Sequence, residues 1–295
     1  MKLSHSQNFL TNQDLVRKLI IKSNFPKDVP ILDIGVGKGI ISKLLLELGY
    51  QVIGFELDPK YIETLNNQFR EYSNFKLINQ DFLEYNSLNF KYNIFANIPF
   101  NQTSKFIHKI FFNNKNAEIS YLIMQQEAAE RILGEKEGLF LALQMANFNE
   151  VKICHRFQRT DFNPAPKVNP VLLKIEKRKE PIIPTKEYNQ FLDFISYIVL
   201  QQKPSILRRL EHLIKYPQFK RLCSLLEIEM GYTLYQIPKL KFFEMYKIIK
   251  EQYPLVLHNT IGYYKKYNEI NYKNVKVYRT RNDIRGNYNS RSKQT

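Results

Sequence analysis

Only two cysteines, Cys154 and Cys223, stand far apart in a chain of 295 residues. That scarcity excludes a dense disulfide framework and the four-ligand pattern of a structural zinc site, and predicts that both thiols are reduced. Histidine is also sparse. The five, at 5, 108, 155, 212 and 258, show no close pairing of the kind a helical metal site uses, so no metal is expected. Long apolar runs are missing: the longest, such as FLDFISYIVL at 191–200, reach about ten residues, well short of the roughly 20 that span a bilayer. A soluble protein is expected. The N-terminus MKLSHSQNFL lacks an extended apolar core and a small-residue cleavage site, so no secretory signal is read and the cytoplasm is the expected address. Acidic residues are short as well, 28 Asp and Glu against 44 Lys and Arg, for a formal net charge of +16. Such one-sided charge suits a polyanionic partner, either nucleic acid or an anionic membrane surface.

What is present suffices for a core. Hydrophobic residues make up 44% of the chain, and its length fits one large domain plus a smaller one. TNQDLVRKLIIKS at 11–23 opens with Thr11 and carries Asp14 three residues later, a capping-box pattern that predicts a helix with Leu15, Leu19 and Ile20 inward. VPILDIG reads as a buried strand ending in glycine, and ISKLLLELG as a helix closed by Gly49. YQVIGFEL is a second strand, followed by a helix with Asp58 as N-cap and Pro59 at its first position. NFKLINQDF, YNIFANIPF and EISYLIMQ continue as strands, with the helix TSKFIHKIFF before the last of them. Strands alternating with helices predict an α/β fold with a mostly parallel sheet covered on both faces. EVKICHRFQ and PVLLKIEKR read as two final strands bracketing a proline-rich loop, an antiparallel edge hairpin. After about residue 181 helical patterns dominate. The expected organisation is therefore an α/β domain over 1–180, a small helical domain over 181–260 and a tail over 261–295. That tail holds nine Lys or Arg, two acids and six tyrosines without a helical period, so it reads as disordered when free.

LDIGVGKGI places Gly35, Gly37 and Gly39 between a strand and a helix, with Glu56 ending the next strand. Glycines there let backbone approach a ligand closely, and an acid about twenty residues on can grip a ribose through its hydroxyls. A tight strand-to-helix turn is the competing reading of the glycines. The alternation G-x-G-x-G differs from the dinucleotide pattern G-x-G-x-x-G, and no Lys-Ser/Thr pair follows as in a P-loop. It resembles the motif of class I S-adenosylmethionine-dependent methyltransferases. The resemblance implies a Rossmann-like, mostly parallel seven-stranded sheet and S-adenosylmethionine as cofactor. It implies that Gly35 and its neighbours contact the methionine part, that Glu56 holds the ribose, and that Asp81 of NQDF lies at the adenine amine. A helix cap is the alternative for Asp81.

NIPF at Asn97–Phe100 ends the fourth strand, and it is similar to the N-[I/L]-P-[Y/F] motif of class I enzymes that methylate exocyclic base amines. An adenine amine is a poor nucleophile because its lone pair is delocalised into the ring, so the site must enrich and align the nitrogen. The resemblance implies that the Asn97 side-chain oxygen and the Ile98 carbonyl accept hydrogen bonds from the amine, that Pro99 stiffens the turn, and that Phe100 stacks on the base. HSQNFLT at 5–11 resembles the N-terminal signature shared by erythromycin-resistance (Erm) 23S ribosomal RNA methyltransferases and small-subunit (KsgA-type) dimethyltransferases. Asn8 and Leu10 would then close over the cofactor. FNPAPKVNPVLLKI at 162–175 is similar to the F-x-P-x-P-K-V segment of the same group, which would make Phe162 the wall opposite Phe100, suited to a flipped base; ordinary core packing is the alternative. SQNFLT and NIPF lean toward the Erm side. The expectation is methylation of one 23S adenine in the peptidyl transferase loop by a monomeric enzyme, with resistance to macrolides, lincosamides and streptogramin B implied. The alternatives are the small-subunit dimethyltransferase and a catalytically silent RNA-binding relative.

KPSILRRLEHLIKY at 203–216 puts Lys203, Arg208 and Arg209 on a helix that could track phosphates, or could simply be a solvated face. In the tail, Lys265, Lys266, Arg279 and Arg281 alternate with tyrosines, a mixture suited to RNA because cations follow phosphates while rings stack on unpaired bases.

Overall fold

The computed structural model describes residues 8–86, 88–113, 116–135 and 137–270. The chain divides between Glu180 and Pro181 into two compact units.

The first unit alternates strand and helix. In chain order it contains β1 (Phe9–Leu10), α1 (Gln13–Ser23), β2 (Ile31–Ile34), α2 (Ile40–Glu47), β3 (Val52–Phe55), α3 (Pro59–Gln68), β4 (Phe75–Ile78), β5 (Tyr92–Asn97) and α4 (Thr103–Ile107), and then β6 (Ala117–Gln125), α5 (Gln126–Leu133), α6 (Leu139–Phe148), β7 (Asn149–Arg156), β8 (Phe162–Asn163) and β9 (Pro170–Lys177). Seven strands form one sheet in the order β4-β3-β2-β5-β6-β9-β7, and β1 pairs with β8 separately. The first five strands run parallel, while β9 runs antiparallel to both β6 and β7. Two cores explain the continuous apolar runs. Residues of α1, α2 and α3, such as Val16, Leu44 and Leu65, pack one face of the sheet, and residues of α4 and α5, such as Phe106 and Ile132, pack the other. A strand covered on both faces has no polar side to alternate with.

The local signals hold with three differences. Asp58 caps α3 through the Lys60 N–H, and Pro59 takes the first helical position. The cap of α1 is Asn12, not Thr11: the Thr11 N–H donates to the Asp161 carbonyl at 2.8 Å, continuing the β1–β8 alignment, so the helix starts one residue later and Asn12 Oδ1 accepts from the Leu15 N–H. The final strands are antiparallel neighbours, yet β9 lies inside the sheet and only β7 is at the edge. The first four residues of β9 are all buried, as an interior strand requires. The pair α5 and α6 between β6 and β7 had no counterpart in the reading of the sequence.

The second unit contains α7 (Tyr188–Leu200), α8 (Ile206–Leu210), α9 (Tyr216–Leu226), α10 (Lys239–Gln252) and α11 (Pro254–His258). Phe191 of α7 stacks on Phe243 of α10 with ring centroids 4.9 Å apart, and the Tyr246 hydroxyl donates to Gln190. Residues 263–270 are helical as well, although the sequence shows no helical period there. Tertiary contacts supply what the pattern lacks: the Tyr264 N–H donates to Asp193 Oδ1 at 2.9 Å, and Tyr263 packs edge-on against Tyr197. The rest of the predicted disordered tail, 271–295, lies outside the described residues. Among the described residues no helix is long and apolar enough to cross a membrane.

One buried carboxyl ties β2 to α2. Asp33 is fully buried, and its Oδ2 accepts from the Ser42 hydroxyl at 2.7 Å. Loss of water raises its pKa from 3.8 to about 7, more than the Ser42 bonds lower it. Between those values the folded protein keeps a proton that the unfolded chain has released, so this group's contribution to stability falls as pH rises from about 4 to about 7. Asp33→Asn removes the titration and keeps an acceptor for Ser42. Unfolding free energies measured from pH 4 to 8 are expected to shift in favour of the variant as pH rises, by a change on the order of a few kcal/mol. A difference independent of pH would overturn this assignment.

Candidate active site

The order of the sheet reverses at β2, which has β3 on one side and β5 on the other. Helices after the flanking strands leave by opposite faces, so a cleft opens at the carboxyl ends of the strands. A cavity of about 140 Å³ occupies that position, lined in part by Gly35, Gly37, Glu56, Asp81, Asn97 and Phe100. Residues from four strand ends thus meet, although they span 35 to 100 in sequence.

The glycines divide their work. Gly35 lines the cavity, and a Cβ there would meet nothing within 4 Å. Gly37 has φ +55°, and a Cβ would sit 2.9 Å from the Phe9 ring, so a side chain would push away the β1 segment that crosses the loop. Gly39 does not line the cavity; with φ +81° it lets α2 begin directly against Phe69, whose ring a Cβ would meet at 2.9 Å. It belongs to the packing of the loop, which separates it from the other two.

Glu56 is 4% exposed and still carries a well-supported carboxylate. Its Oε2 accepts from the Gly37 N–H at 2.7 Å, and its Oε1 accepts from the N–H groups of Leu57 and Asp58, both at 2.8 Å. Three backbone donors fix both oxygens, and a carboxylate has capacity for about four, which leaves room for a hydroxyl. Asp81 also lines the cavity, and its Oδ1 accepts from the Leu83 N–H at 2.8 Å within a turn at 82–84, so it closes a turn where the alternative reading had a helix cap.

Asn97 ends β5 with its amide held from one side. Its Nδ2 donates to the Asn8 carbonyl at 2.8 Å. Turning the amide over would set two oxygens against each other, so this bond fixes which atom faces the remaining space. The atom left over, Oδ1, is buried and has no hydrogen-bond partner. An orphaned buried acceptor is costly, and at the wall of a cavity a ligand's donor can satisfy it. Asn8 itself lines the cavity and is anchored by its Nδ2 to the Pro164 carbonyl at 2.7 Å. Ile98, Pro99 and Phe100 all line the same cavity.

Besides Gly39, two residues expected at the site are elsewhere. Leu10 is 4% exposed and belongs to the core under β1, because in a strand alternate side chains point to opposite sides and Phe9 takes the outer one. Phe162 is 3% exposed and packs edge-on against Phe157, ring centroids 5.5 Å apart, so the core-packing alternative describes it rather than a wall facing Phe100. Residues without a role in the sequence reading include Phe9, Leu57 and Phe82, which line the cavity, and Ser42, which holds Asp33. The apolar character of the first three gave no signal apart from their neighbours in the motifs.

Among the basic residues of the second unit, Lys203 is exposed and Arg208 pairs with Glu211 at 3.0 Å. Arg209 is turned inward: its Nη1 donates to the carbonyls of Ile198 and Val199 at 2.8 and 3.3 Å, capping the C-terminal end of α7, and burial lowers its pKa. It is a structural cation in place of a phosphate contact. Lys265 and Lys266 are exposed on the 263–270 helix, whereas Arg279 and Arg281 lie outside the described residues. Among the described residues no group of three or more His, Cys, Asp or Glu is placed to hold a metal ion.

Comparison with known proteins agrees with this geometry. The family model for ribosomal RNA adenine dimethylase matches residues 1–251. A protein of Mycoplasmopsis pulmonis named ribosomal RNA small subunit methyltransferase A is 36% identical over 196 residues, covering 65% of this chain and 77% of that protein. An rRNA adenine N-6-methyltransferase of Limosilactobacillus reuteri is 33% identical over 194 residues, covering 65% of this chain and 78% of its own length. The crystal structure of the 23S rRNA methyltransferase ErmE superposes with a TM-score of 0.73 at 20% identity, over 81% of this chain and 99% of that one, and so shares the fold. The chain therefore belongs to the ribosomal RNA adenine dimethylase family and is an S-adenosylmethionine-dependent rRNA adenine methyltransferase.

Proposed function

We propose that the chain methylates the exocyclic 6-amino group of one adenine in 23S rRNA, at the peptidyl transferase loop, and so confers resistance to macrolides, lincosamides and streptogramin B. The observation that carries the chemistry is the buried Asn97 Oδ1 without a partner, its amide held in one orientation by the Asn8 carbonyl. The 23S assignment rests on SQNFLT and NIPF, which resemble the Erm side of the group.

The residues present fit the cofactor. Glu56, already held by three backbone N–H groups, would take a ribose hydroxyl, Gly35 and Gly37 would border the methionine part, and Asp81 would reach the adenine amine. S-adenosylmethionine supplies an electrophilic methyl group on a sulfonium. Asn97 Oδ1 and the Ile98 carbonyl would accept from the substrate amine, drawing electron density toward its nitrogen and fixing its direction, while Phe100 would stack on the base. Methylation leaves an ammonium that sheds its proton readily, so no side-chain base is needed.

A second reading, methylation of small-subunit rRNA, is favoured by the names of several relatives, including the Mycoplasmopsis pulmonis protein at 36% identity. Both readings use one pocket, and the RNA distinguishes them. With labelled S-adenosylmethionine, label on a peptidyl transferase loop adenine of protein-free 23S RNA is expected. Label confined to small ribosomal subunits would replace the resistance assignment with a ribosome-assembly one.

Two variants separate the halves of the site. Asn97→Ala is expected to lower transfer at least tenfold while cofactor affinity, read by calorimetry, stays within about twofold, because its acceptor acts on the base. Equal loss of cofactor binding would contradict that role. Glu56→Ala is expected to behave in the opposite sense, raising the cofactor concentration needed for half-maximal rate by tenfold or more, since a hydroxyl contact to a charged acceptor is lost.

A further inference from the structure

We infer that Gln125 is a positioning residue that sets the ring of Phe100, and with it the face on which the target base stacks. The inference deepens the reading above and rests on it. It starts from where the backbone ladder stops. β5 pairs with β6 through Asn97 and Ile123, and the Ile98 N–H still reaches the Ile123 carbonyl at 3.2 Å. Pro99 has no N–H, so the ladder cannot continue, and Phe100 stands one residue beyond it. The stacking residue would then hang from an unsupported loop.

Two side chains replace the ladder there. Gln125, the last residue of β6, donates from Nε2 to the Phe100 carbonyl at 3.0 Å, and the Thr103 hydroxyl donates to the same oxygen at 3.1 Å. A carbonyl oxygen has two lone pairs, and both are engaged. Thr103 is local, opening the helix that follows. Gln125 is the long-range restraint, because it ties the loop to a central strand of the sheet across twenty-five positions in sequence. The same turn of chain holds the far side as well: the Gln126 N–H donates to the Asn169 carbonyl at 2.8 Å, in the proline-rich loop. The end of β6 is thus a strut between the NIPF loop and the 163–170 loop. The Gln125 side chain does not line the cavity, so it acts through Phe100 and does not touch substrate.

The test uses Gln125→Met, which keeps length and removes the donor, and Gln125→Glu, which keeps shape and sets a carboxylate against the carbonyl. Both are assayed on whichever RNA the wild type labels. A loss of about three- to tenfold in kcat/KM for RNA is expected for Gln125→Met and more for Gln125→Glu, with cofactor affinity and melting temperature unchanged. Removing both donors in Gln125→Met with Thr103→Val is expected to cost more than the product of the single losses, because either donor alone partly holds the carbonyl. A merely structural role would not alter stacking. RNA carrying 2-aminopurine at the target position reads it directly, and the fluorescence change on binding should shrink in Gln125→Met. An active wild type matched by Gln125→Met in both kcat/KM and 2-aminopurine response overturns the inference alone. A wild type that labels neither RNA overturns the function proposed above and this inference together.

Discussion

Parallel pairing of β2 with β3 on one side and β5 on the other is the constraint from which the rest of the first unit follows. The helices after β2 and β5, α2 and α4, pack on opposite faces of the sheet, and no helix fills the gap above the strand ends where the direction of winding reverses. The glycine loop after β2, Glu56 after β3, Asp81 after β4 and Asn97 at the end of β5 all emerge into that gap. Each side chain stands on a rigid strand end, which is what a site needs when misplacement by an ångström is costly. Covering both faces with apolar helices is the condition for such a sheet, and it explains why strands such as β2 and β5 are buried along nearly their whole length.

Within the gap the polar groups are arranged around neutral and backbone partners. Glu56 keeps its position through three peptide N–H groups, a form of support that costs no counter-charge and leaves the cavity open to a ligand's hydroxyls. Asn97 is held by a carbonyl of the β1 segment, and that segment is fixed in turn by its pairing with β8 and by the Asn8 bond to Pro164. Orientation of one amide therefore depends on pieces of chain from residues 8, 97 and 164. Asp33, beneath the same loop, shows the other side of burial: with one hydroxyl partner and no water its carboxyl is pushed toward the neutral form.

Much of the site was legible because its motifs are contiguous. LDIGVGKGI, the acid after the next strand and NIPF each carry a backbone or hydrogen-bonding requirement that a short stretch can express, and Gly35, Gly37, Glu56, Asp81 and Asn97 do converge on one cavity. Phe162, Leu10 and Arg209 were misread for a common reason. Residue type and neighbours say that a phenylalanine, a leucine or an arginine is available, but which way it points depends on what packs across from it. Phe157 takes the ring of Phe162, the core takes Leu10, and the exposed carbonyls ending α7 take Arg209. The 263–270 helix was missed likewise, since its anchors, Asp193 and Tyr197, lie some seventy residues away.

The sequence by itself determined the alternation of strands and helices, the positions of the glycine turn and of Glu56, and the presence of an amide-proline-aromatic turn at the end of a strand, because these are set by local sterics, periodicity and chemistry within a few residues. Tertiary structure alone decided that β9 enters the sheet between β6 and β7, that the Asn8 carbonyl leaves Asn97 Oδ1 free, and that Gln125 holds the Phe100 carbonyl. Those outcomes are contacts between segments distant along the chain. Hydrogen bonding is short in range, so a donor's partner is chosen by which strands and loops the fold brings within about 3 Å of it.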